Sequence, residues 1–203
     1  MLEILMVRHG QSVADIEERH EGRADYPLTE LGREQAAKAA SWIAEKYPPE
    51  IMLSSTLRRA SETAEAIAKK IGINVLYDED LMEMNNGVLA GLLRKEAAEK
   101  YPIPEGGRKD HEAIEGGESM IEFRARAERF WSKLISAYYE EGINKRICIV
   151  SHGGMISMLF RSFLNLPISA DVWMGTGDTG VALWRIKGAT RLVVYSNCHE
   201  HLA

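Results

Sequence analysis

The chain has 203 residues, of which 45% are hydrophobic and 27% are charged. These values are ordinary for a globular protein, so they exclude an intrinsically disordered chain and a collagen-like repeat. The formal net charge of −5 argues against a protein that binds duplex nucleic acid by bulk electrostatics, and we expect no nucleic-acid partner. The two cysteines imply no disulfide framework, which favours a reducing compartment.

The amino terminus shows no pattern of a targeting segment. Residues 1–7 form a short apolar run that contains Glu3 and leads directly into Arg8 and His9. This run lacks the basic region and the small-residue cleavage site of a signal peptide, so we interpret it as a strand. No run of 18 apolar residues occurs anywhere in the chain. The sequence therefore predicts a soluble, cytoplasmic protein with no membrane partner.

Short apolar strands alternate with longer helical segments along the chain, a pattern typical of an α/β fold. Gly72 ends the second predicted helix, and a Ser119–Glu122 capping box begins the third. Residues 78–117 are predicted to be irregular, apart from a helical turn or two near 92–100. The predicted strands are 4–7, 51–53, 73–77, 146–151, 180–186 and 191–196, and the predicted helices are 30–46, 57–71, 120–137 and 154–164. We expect a single domain over residues 1–203.

Two histidines each follow an apolar strand directly and precede a glycine. His9 lies between Arg8 and Gly10, and His152 precedes Gly153. Ligands of open α/β sheets bind at the carboxyl ends of the strands. A glycine at such a place lets backbone N–H groups approach an anion, and the second glycine also leads into a helix amino terminus. One strand-end histidine is more often structural, but two of them, one beside an arginine, predict an anion site.

Seven sequence blocks follow one another between residues 8 and 202. They are Arg8-His9-Gly10-Gln11-Ser12, Pro27-Leu28-Thr29-Glu30-Leu31-Gly32, Ser55 to Ala64, Leu81 to Gly87, Gly116-Gly117-Glu118-Ser119, Ser151-His152-Gly153-Gly154, and Asn197 to Leu202. In this order they resemble the histidine phosphatase superfamily, in its phosphoglycerate-mutase-like branch. The resemblance implies a three-layer α/β/α sandwich, with a mostly parallel central sheet and helices on both faces. The third block selects Arg59 for the site and leaves Arg58 as a solvated residue.

The resemblance also implies a reaction through a phosphohistidine. His9 would be the nucleophile, and Arg8, Arg59 and His152 would surround the phosphoryl group. Glu83 would protonate the leaving oxygen and then activate the incoming water, although its spacing alone also fits an exposed loop carboxylate. Two guanidinium groups and a protonatable imidazole can balance the oxyanion charge, so we expect neither a metal nor another cofactor.

Several positions depart from the residues usual in the family. Asp15 replaces an asparagine, and its carboxylate would repel a phosphate unless it is protonated or paired with Arg8 or Arg23. Asp15→Asn is therefore predicted to raise kcat/KM near neutral pH. Glu21, followed by Gly22, stands where glutamine is common. The expected substrate-binding residues are Arg8, Asp15, Glu21, Gly22, Arg59 and Gly153.

Two further motifs are interpreted as structural. Residues 175–180 have the spacing of a dinucleotide-binding loop, but they precede a predicted strand rather than a helix and are read as a glycine turn. The segment 198–201, Cys-His-Glu-His, resembles a metal-binding cluster. Neighbouring side chains of an extended segment point to opposite faces, so a metal site is disfavoured there.

Three functions are compatible with these patterns. The preferred one is a metal-independent phosphatase that hydrolyses a small phosphomonoester. The second is a phosphoglycerate mutase of the 2,3-bisphosphoglycerate-dependent type, which returns the phosphoryl group to its substrate. The third is a non-catalytic phosphoester-binding protein, which the intact set of candidate catalytic residues disfavours. The expected partner is a small phosphorylated metabolite, and we expect either a monomer or a homodimer.

Overall fold

The computed structural model describes residues 1–140 and 142–203. The strands are β1 (Leu2–Arg8), β2 (Ile51–Ser54), β3 (Val75–Tyr77), β4 (Lys145–Ser151), β5 (Val181–Lys187) and β6 (Thr190–Cys198). The α-helices are α1 (Val13–Ile16), α2 (Glu30–Lys46), α3 (Arg58–Ile71), α4 (Arg94–Lys100), α5 (Met120–Tyr138) and α6 (Gly153–Phe163). Short 3-10 turns occupy Glu79–Leu81, Gly87–Leu89 and Glu200–Leu202.

One sheet contains all six of these strands, in the order β3-β2-β4-β1-β5-β6. The first four strands in this order are parallel to one another, while β5 is antiparallel to both β1 and β6. The predicted mixed α/β fold with a mostly parallel sheet is therefore confirmed. Because β2, β4 and β1 are adjacent and parallel, the residues that follow them meet at one edge of the sheet.

Helices cover both faces of the sheet, as the side-chain alternation of β1 illustrates. Ile4 and Met6 pack into one buried cluster with side chains of α5 and α6. Leu5 and Val7 point to the opposite face, where they join side chains of α2 and α3. Successive residues of a strand face opposite sides, so a strand covered on both faces is apolar throughout. The expected three-layer arrangement is confirmed.

The helix signals in the sequence correspond closely to the observed helices. Gly72 ends α3 in the left-handed region, with φ of 85°, which a glycine adopts without steric cost. Ser119 and Glu122 form the predicted capping box at the start of α5. The helix α6 begins at Gly153, one residue earlier than expected. The short helix α1 was not predicted, although Ser12 and Asp15 form a second capping box there.

The described part of the chain contains no helix that is both long enough and apolar enough to cross a membrane.

Candidate active site

His9 follows β1 directly and is buried at the edge where the parallel strands end. Its Nδ1 lies 2.8 Å from the carbonyl oxygen of Gly10. A carbonyl can only accept a hydrogen bond, so Nδ1 carries the proton and Nε2 presents its lone pair. Burial, followed by the positive charges of Arg59 and Arg8, holds the pKa of His9 well below its ordinary value. The ring is therefore neutral at neutral pH, with Nε2 able to act as a nucleophile.

His152 follows β4 and lies beside His9, with 5.0 Å between the two ring centroids. Its Nε2 is 2.9 Å from the hydroxyl of Ser55, which itself accepts a hydrogen bond from the N–H of Leu57. A Ser55 hydroxyl that donates to Nε2 puts the imidazole proton on Nδ1. That buried Nδ1 has no hydrogen-bond partner among the described residues. It is the polar atom through which this ring can meet a phosphoryl oxygen.

His152, expected to be a protonatable imidazole, is neutral in the absence of a bound anion. Burial and then the charge of Arg59 hold its pKa well below the ordinary value, so the imidazole is neutral in this structure at neutral pH. A phosphoryl dianion at the site would act in the opposite direction, because a nearby negative charge favours the imidazolium form.

Arg59 enters the site from the first turn of α3 and is completely buried. Its two terminal nitrogens donate to the carbonyl oxygens of Ala24, at 3.0 Å, and Gly22, at 2.9 Å. Its Nε donates to Nε2 of His9 at 3.3 Å. These bonds fix the guanidinium plane beside the nucleophile. Arg58, one residue earlier, is exposed and pairs with Glu62, in agreement with its interpretation as a solvated residue.

Arg8 is oriented by the loop 175–180 that precedes β5. Its Nη1 donates to the carbonyl oxygen of Thr176 at 2.8 Å, and its Nη2 lies 3.5 Å from the carboxylate of Asp178. The predicted glycine turn therefore positions the side chain of Arg8 at the end of β1. Thr176 and Asp178 were not predicted, because no local sequence pattern links them to a residue almost 170 positions earlier.

Glu83 reaches the site from the irregular segment that follows β3. Its Oε2 accepts a hydrogen bond of 2.9 Å from the N–H of Gly154, in the first turn of α6, and its Oε1 accepts one from Met84. A helix amino terminus stabilises a carboxylate. The structure thus brings Glu83 to the helix that begins next to His152, rather than leaving it in an exposed loop.

Arg126 on α5 holds the backbone of this segment in place. It donates to the carbonyl oxygens of Asp80 and Met82, at 2.9 and 2.7 Å, and to that of Glu83 at 3.1 Å. Glu118 balances its charge at 2.5 Å and also accepts from the N–H of Asn85. Arg126 was missed in the sequence, where it reads as one of several charged residues on a helix.

The carboxylate of Asp15 is held by the backbone rather than by an arginine. It accepts a hydrogen bond of 2.9 Å from the N–H of Ser12 and caps α1. A pairing with Arg8 or Arg23, one of the two ways considered above to offset its charge, is absent from the described part of the chain. Arg8 pairs with Asp178, and Arg23 approaches Glu118 at 3.9 Å.

Glu21 is the carboxylate that lies against the nucleophile. Its Oε2 is 3.8 Å from Nε2 of His9, and its Oε1 is 3.3 Å from Nε of Arg59. The hydroxyl of Ser12 donates to the same Oε1 at 2.5 Å. Burial, only partly offset by Arg59, raises the pKa of Glu21 above its ordinary value.

A cavity of about 260 Å³ opens beside this cluster. Gly22 lines it with φ of +47°, and a side chain at this position would collide with Asn86. Gly153 has more room, since an added Cβ would find its nearest neighbour, the Thr176 hydroxyl, at 3.7 Å. The lining includes four of the six expected substrate-binding residues, together with the candidate acid and a further arginine: Arg8, Asp15, Glu21, Gly22, Glu83 and Arg94.

The carboxyl-terminal segment supports the loop that holds Arg8. The side-chain oxygen of Asn197 accepts from the N–H of Gly177 at 2.7 Å, and Nε2 of His201 lies 2.9 Å from the hydroxyl of Thr179. Over residues 1–140 and 142–203, no three His, Cys, Asp or Glu side chains are grouped so that they could hold a metal ion.

The family model of the histidine phosphatase superfamily (branch 1) matches residues 4–199 of this chain. The chain belongs to this superfamily, which confirms the resemblance deduced from the seven blocks. A glucosyl-3-phosphoglycerate phosphatase of Mycolicibacterium vanbaalenii is 33% identical over 93% of this chain and 85% of its own length. A probable phosphoglycerate mutase of Escherichia fergusonii is 35% identical over 84% of this chain and 79% of its own.

A solved structure gives the same result in three dimensions. It is a mycobacterial glucosyl-3-phosphoglycerate phosphatase in complex with VO3, which is 28% identical and superposes with a TM-score of 0.82. The match covers 97% of this chain and 99% of the other.

Proposed function

We propose that this histidine phosphatase acts as one domain and hydrolyses a small phosphomonoester in two steps, with His9 as nucleophile and without a metal ion. The observation that carries the proposal is the state of His9. Its Nδ1–H is engaged by the carbonyl oxygen of Gly10 and its pKa is lowered, so Nε2 carries a lone pair, and this atom lies 3.3 Å from the Nε of Arg59.

In the first step, Nε2 of His9 would form a bond to phosphorus while the bond from phosphorus to the leaving oxygen breaks. Glu83 would give a proton to that oxygen, so that the product leaves as a neutral alcohol. In the second step, the same carboxylate would take a proton from water, whose oxygen attacks phosphorus and releases His9 together with inorganic phosphate. The position of Glu83 at the first turn of α6, next to His152, supports this assignment.

The charge of the phosphoryl group would be balanced by side chains alone. Arg8 and Arg59 supply two guanidinium groups, and the free Nδ1–H of His152 supplies a further donor. These groups are already fixed by backbone carbonyls and by Ser55, so little reorganisation is needed as charge develops in the transition state.

We expect the substrate to be a small phosphorylated metabolite, and the cavity of about 260 Å³ beside the cluster supports this size class. The named mycobacterial relatives make glucosyl-3-phosphoglycerate the first compound to test. A cytoplasmic location is part of the proposal, since both cysteines, Cys148 and Cys198, are free thiols.

The alternative of a mutase is favoured by the name of one relative, a probable phosphoglycerate mutase. A panel of phosphorylated metabolites, including glucosyl-3-phosphoglycerate and 3-phosphoglycerate, separates the possibilities. We expect inorganic phosphate to be released in step with substrate loss. Conversion of 3-phosphoglycerate to its 2-isomer without phosphate release would instead identify a mutase, and no turnover of any compound would favour a binding protein.

A further inference from the structure

The carboxyl group of Glu21 occupies space that a substrate also needs. In-line attack requires phosphorus about 3 Å from the nucleophilic nitrogen, and in this structure Oε2 of Glu21 lies 3.8 Å from Nε2 of His9. The other oxygen, Oε1, lies 3.3 Å from Nε of Arg59. The oxygens of a phosphoryl group next to His9 would therefore contact the Glu21 carboxyl. They would also replace that carboxyl as the partner of Arg59.

Several charged groups surround Glu21. Arg59 faces it from α3 and Arg8 from β1, and both favour the carboxylate, whereas Asp15 on α1 opposes it. His9 adds no charge, because its own pKa is lowered well below neutrality. The side chain is 16% exposed, and burial outweighs the cations, so that the pKa of Glu21 is raised.

The cavity beside Glu21 contributes further charged and titratable groups. Glu83 would oppose the carboxylate, whereas Arg19, Arg94 and a protonated His20 would favour it. Burial and the charge of Arg94 lower the pKa of His20. The arrival of a phosphate dianion adds negative charge beside Glu21 and raises its pKa further.

We propose that Glu21 is a catalytic residue that acts in its protonated form, donating a hydrogen bond to a phosphoryl oxygen, and that its ionised form repels the phosphoryl dianion. The inference rests on the proposed function, because it concerns the same pocket. The proton stays on Glu21 during the transfer, so the group contributes a donor and no proton to the products. A glutamine at position 21 would offer an N–H donor of similar shape at every pH.

The binding of an anion should therefore depend on the protonation of Glu21. Above the pKa of Glu21, the fraction of protein that is competent to bind falls tenfold for each pH unit. The wild-type protein should lose affinity for a dianion along this limb, whereas Glu21→Gln should keep its affinity there.

Sulfate is a suitable probe, because it remains a dianion over the whole range in which a buried carboxyl titrates. Calorimetry in two buffers of different ionisation enthalpy gives the number of protons taken up when sulfate binds. About one pH unit above the pKa of Glu21, we expect wild-type protein to take up about one proton more than Glu21→Gln. His9 and His152 are present in both proteins, so their own proton uptake cancels in the difference. Glu62→Gln, which removes a carboxylate paired with Arg33 and Arg58 on the outer surface, should behave as wild type.

A second variant should shift the pH at which sulfate affinity is lost, instead of abolishing this loss. The Ser12 hydroxyl donates to Glu21 and lowers its pKa, so Ser12→Ala should move the loss of sulfate affinity to higher pH. Equal proton uptake in wild type and Glu21→Gln would overturn the inference. It would also be overturned if Asp15→Asn, rather than Glu21→Gln, removed the limb.

The sulfate measurement does not depend on turnover. If the metabolite panel releases no phosphate while the proton uptake differs as expected, the proposed function fails and the role of Glu21 in binding an anion stands. If phosphate is released but the two proteins take up the same number of protons, only the inference on Glu21 fails.

Discussion

A methyl group at position 154 should displace the candidate acid without harming the fold. The N–H of Gly154 donates to Oε2 of Glu83 at 2.9 Å. A Cβ added to Gly154 would lie 3.1 Å from Cδ of Glu83 and still closer to Oε1, whereas ordinary contacts are 3.4–4 Å. The carboxyl group is the far end of a flexible side chain, so it would move away while the backbone of α6 stays in place.

The effect on activity follows from the role of a general acid. A misplacement of about 1 Å costs about 10²-fold in rate, and general acid catalysis as a whole contributes about 10²- to 10⁴-fold. For Gly154→Ala we therefore expect kcat/KM for an alkyl phosphate to fall by about 10²-fold. An aryl phosphate with an acidic phenol leaves without a proton, so its kcat/KM should change by less than about threefold. Because kcat/KM reports the steps up to the first departure of product, the second step does not obscure this comparison.

Stability should change in the opposite direction. Alanine in a helix is about 0.5–1 kcal/mol more favourable than glycine, so Gly154→Ala should unfold at the same temperature as wild type or slightly higher. Gly153→Ala is the matched control, since a Cβ there has space and does not meet Glu83. Its ratio of alkyl to aryl kcat/KM should remain that of wild type. Equal losses on both substrates in Gly154→Ala would refute the assignment of Glu83 as the acid.

Three further outcomes follow from the same contacts. Arg126→Met removes the donors that hold three carbonyls of the Glu83 segment, and it leaves Glu118 with only the more distant Arg23 as a cationic partner. We therefore expect a loss of about 3 kcal/mol in the free energy of unfolding, measured in urea, together with the leaving-group dependence of Gly154→Ala. Three buried histidines, His9, His152 and His201, have lowered pKa values, so the unfolded chain binds more protons than the folded one. The free energy of unfolding should then fall as the pH drops below about 6.5, by up to about 1.4 kcal/mol per pH unit for each histidine. Glu21, whose pKa is raised, makes a smaller contribution of opposite sign. Urea titrations from pH 7.5 to pH 5 measure this change in the free energy of unfolding. Phosphatase activity should survive prolonged dialysis against EDTA, and a loss that one divalent cation restores would contradict the metal-independent mechanism.

The edge of the sheet that carries the site was predictable from local patterns. Apolar runs that end in histidine and glycine identified His9 and His152, and parallel neighbours in a sheet place their carboxyl ends together. Arg59 and Glu83 followed only from the resemblance of ordered blocks. Their spacing alone could not separate them from an exposed arginine pair and a loop carboxylate.

The residues that position the site were not predictable in the same way. Thr176 and Asp178 reach Arg8 across almost the whole chain, and Arg126 reaches carbonyls more than forty residues earlier. Such contacts depend on how loops pack onto the sheet, and a periodicity of 2 or 3.6 residues carries no information about them. Asp15 and Glu21 were both expected at the site, but the path of an irregular loop decides which of these two carboxylates faces the nucleophile, and no local pattern predicts that path.

The most direct test of the phosphohistidine mechanism is to isolate the phosphorylated protein. Glu83→Gln should still be phosphorylated by an aryl phosphate, whose phenol leaves unaided, but should release phosphate slowly because the second step lacks its base. After a denaturing quench at alkaline pH, mass spectrometry should find one phosphoryl group on the peptide that contains His9, and mild acid should remove it. Release of the phenol with no phosphorylated peptide, or with the phosphoryl group on a different residue, would contradict the assignment of His9 as the nucleophile.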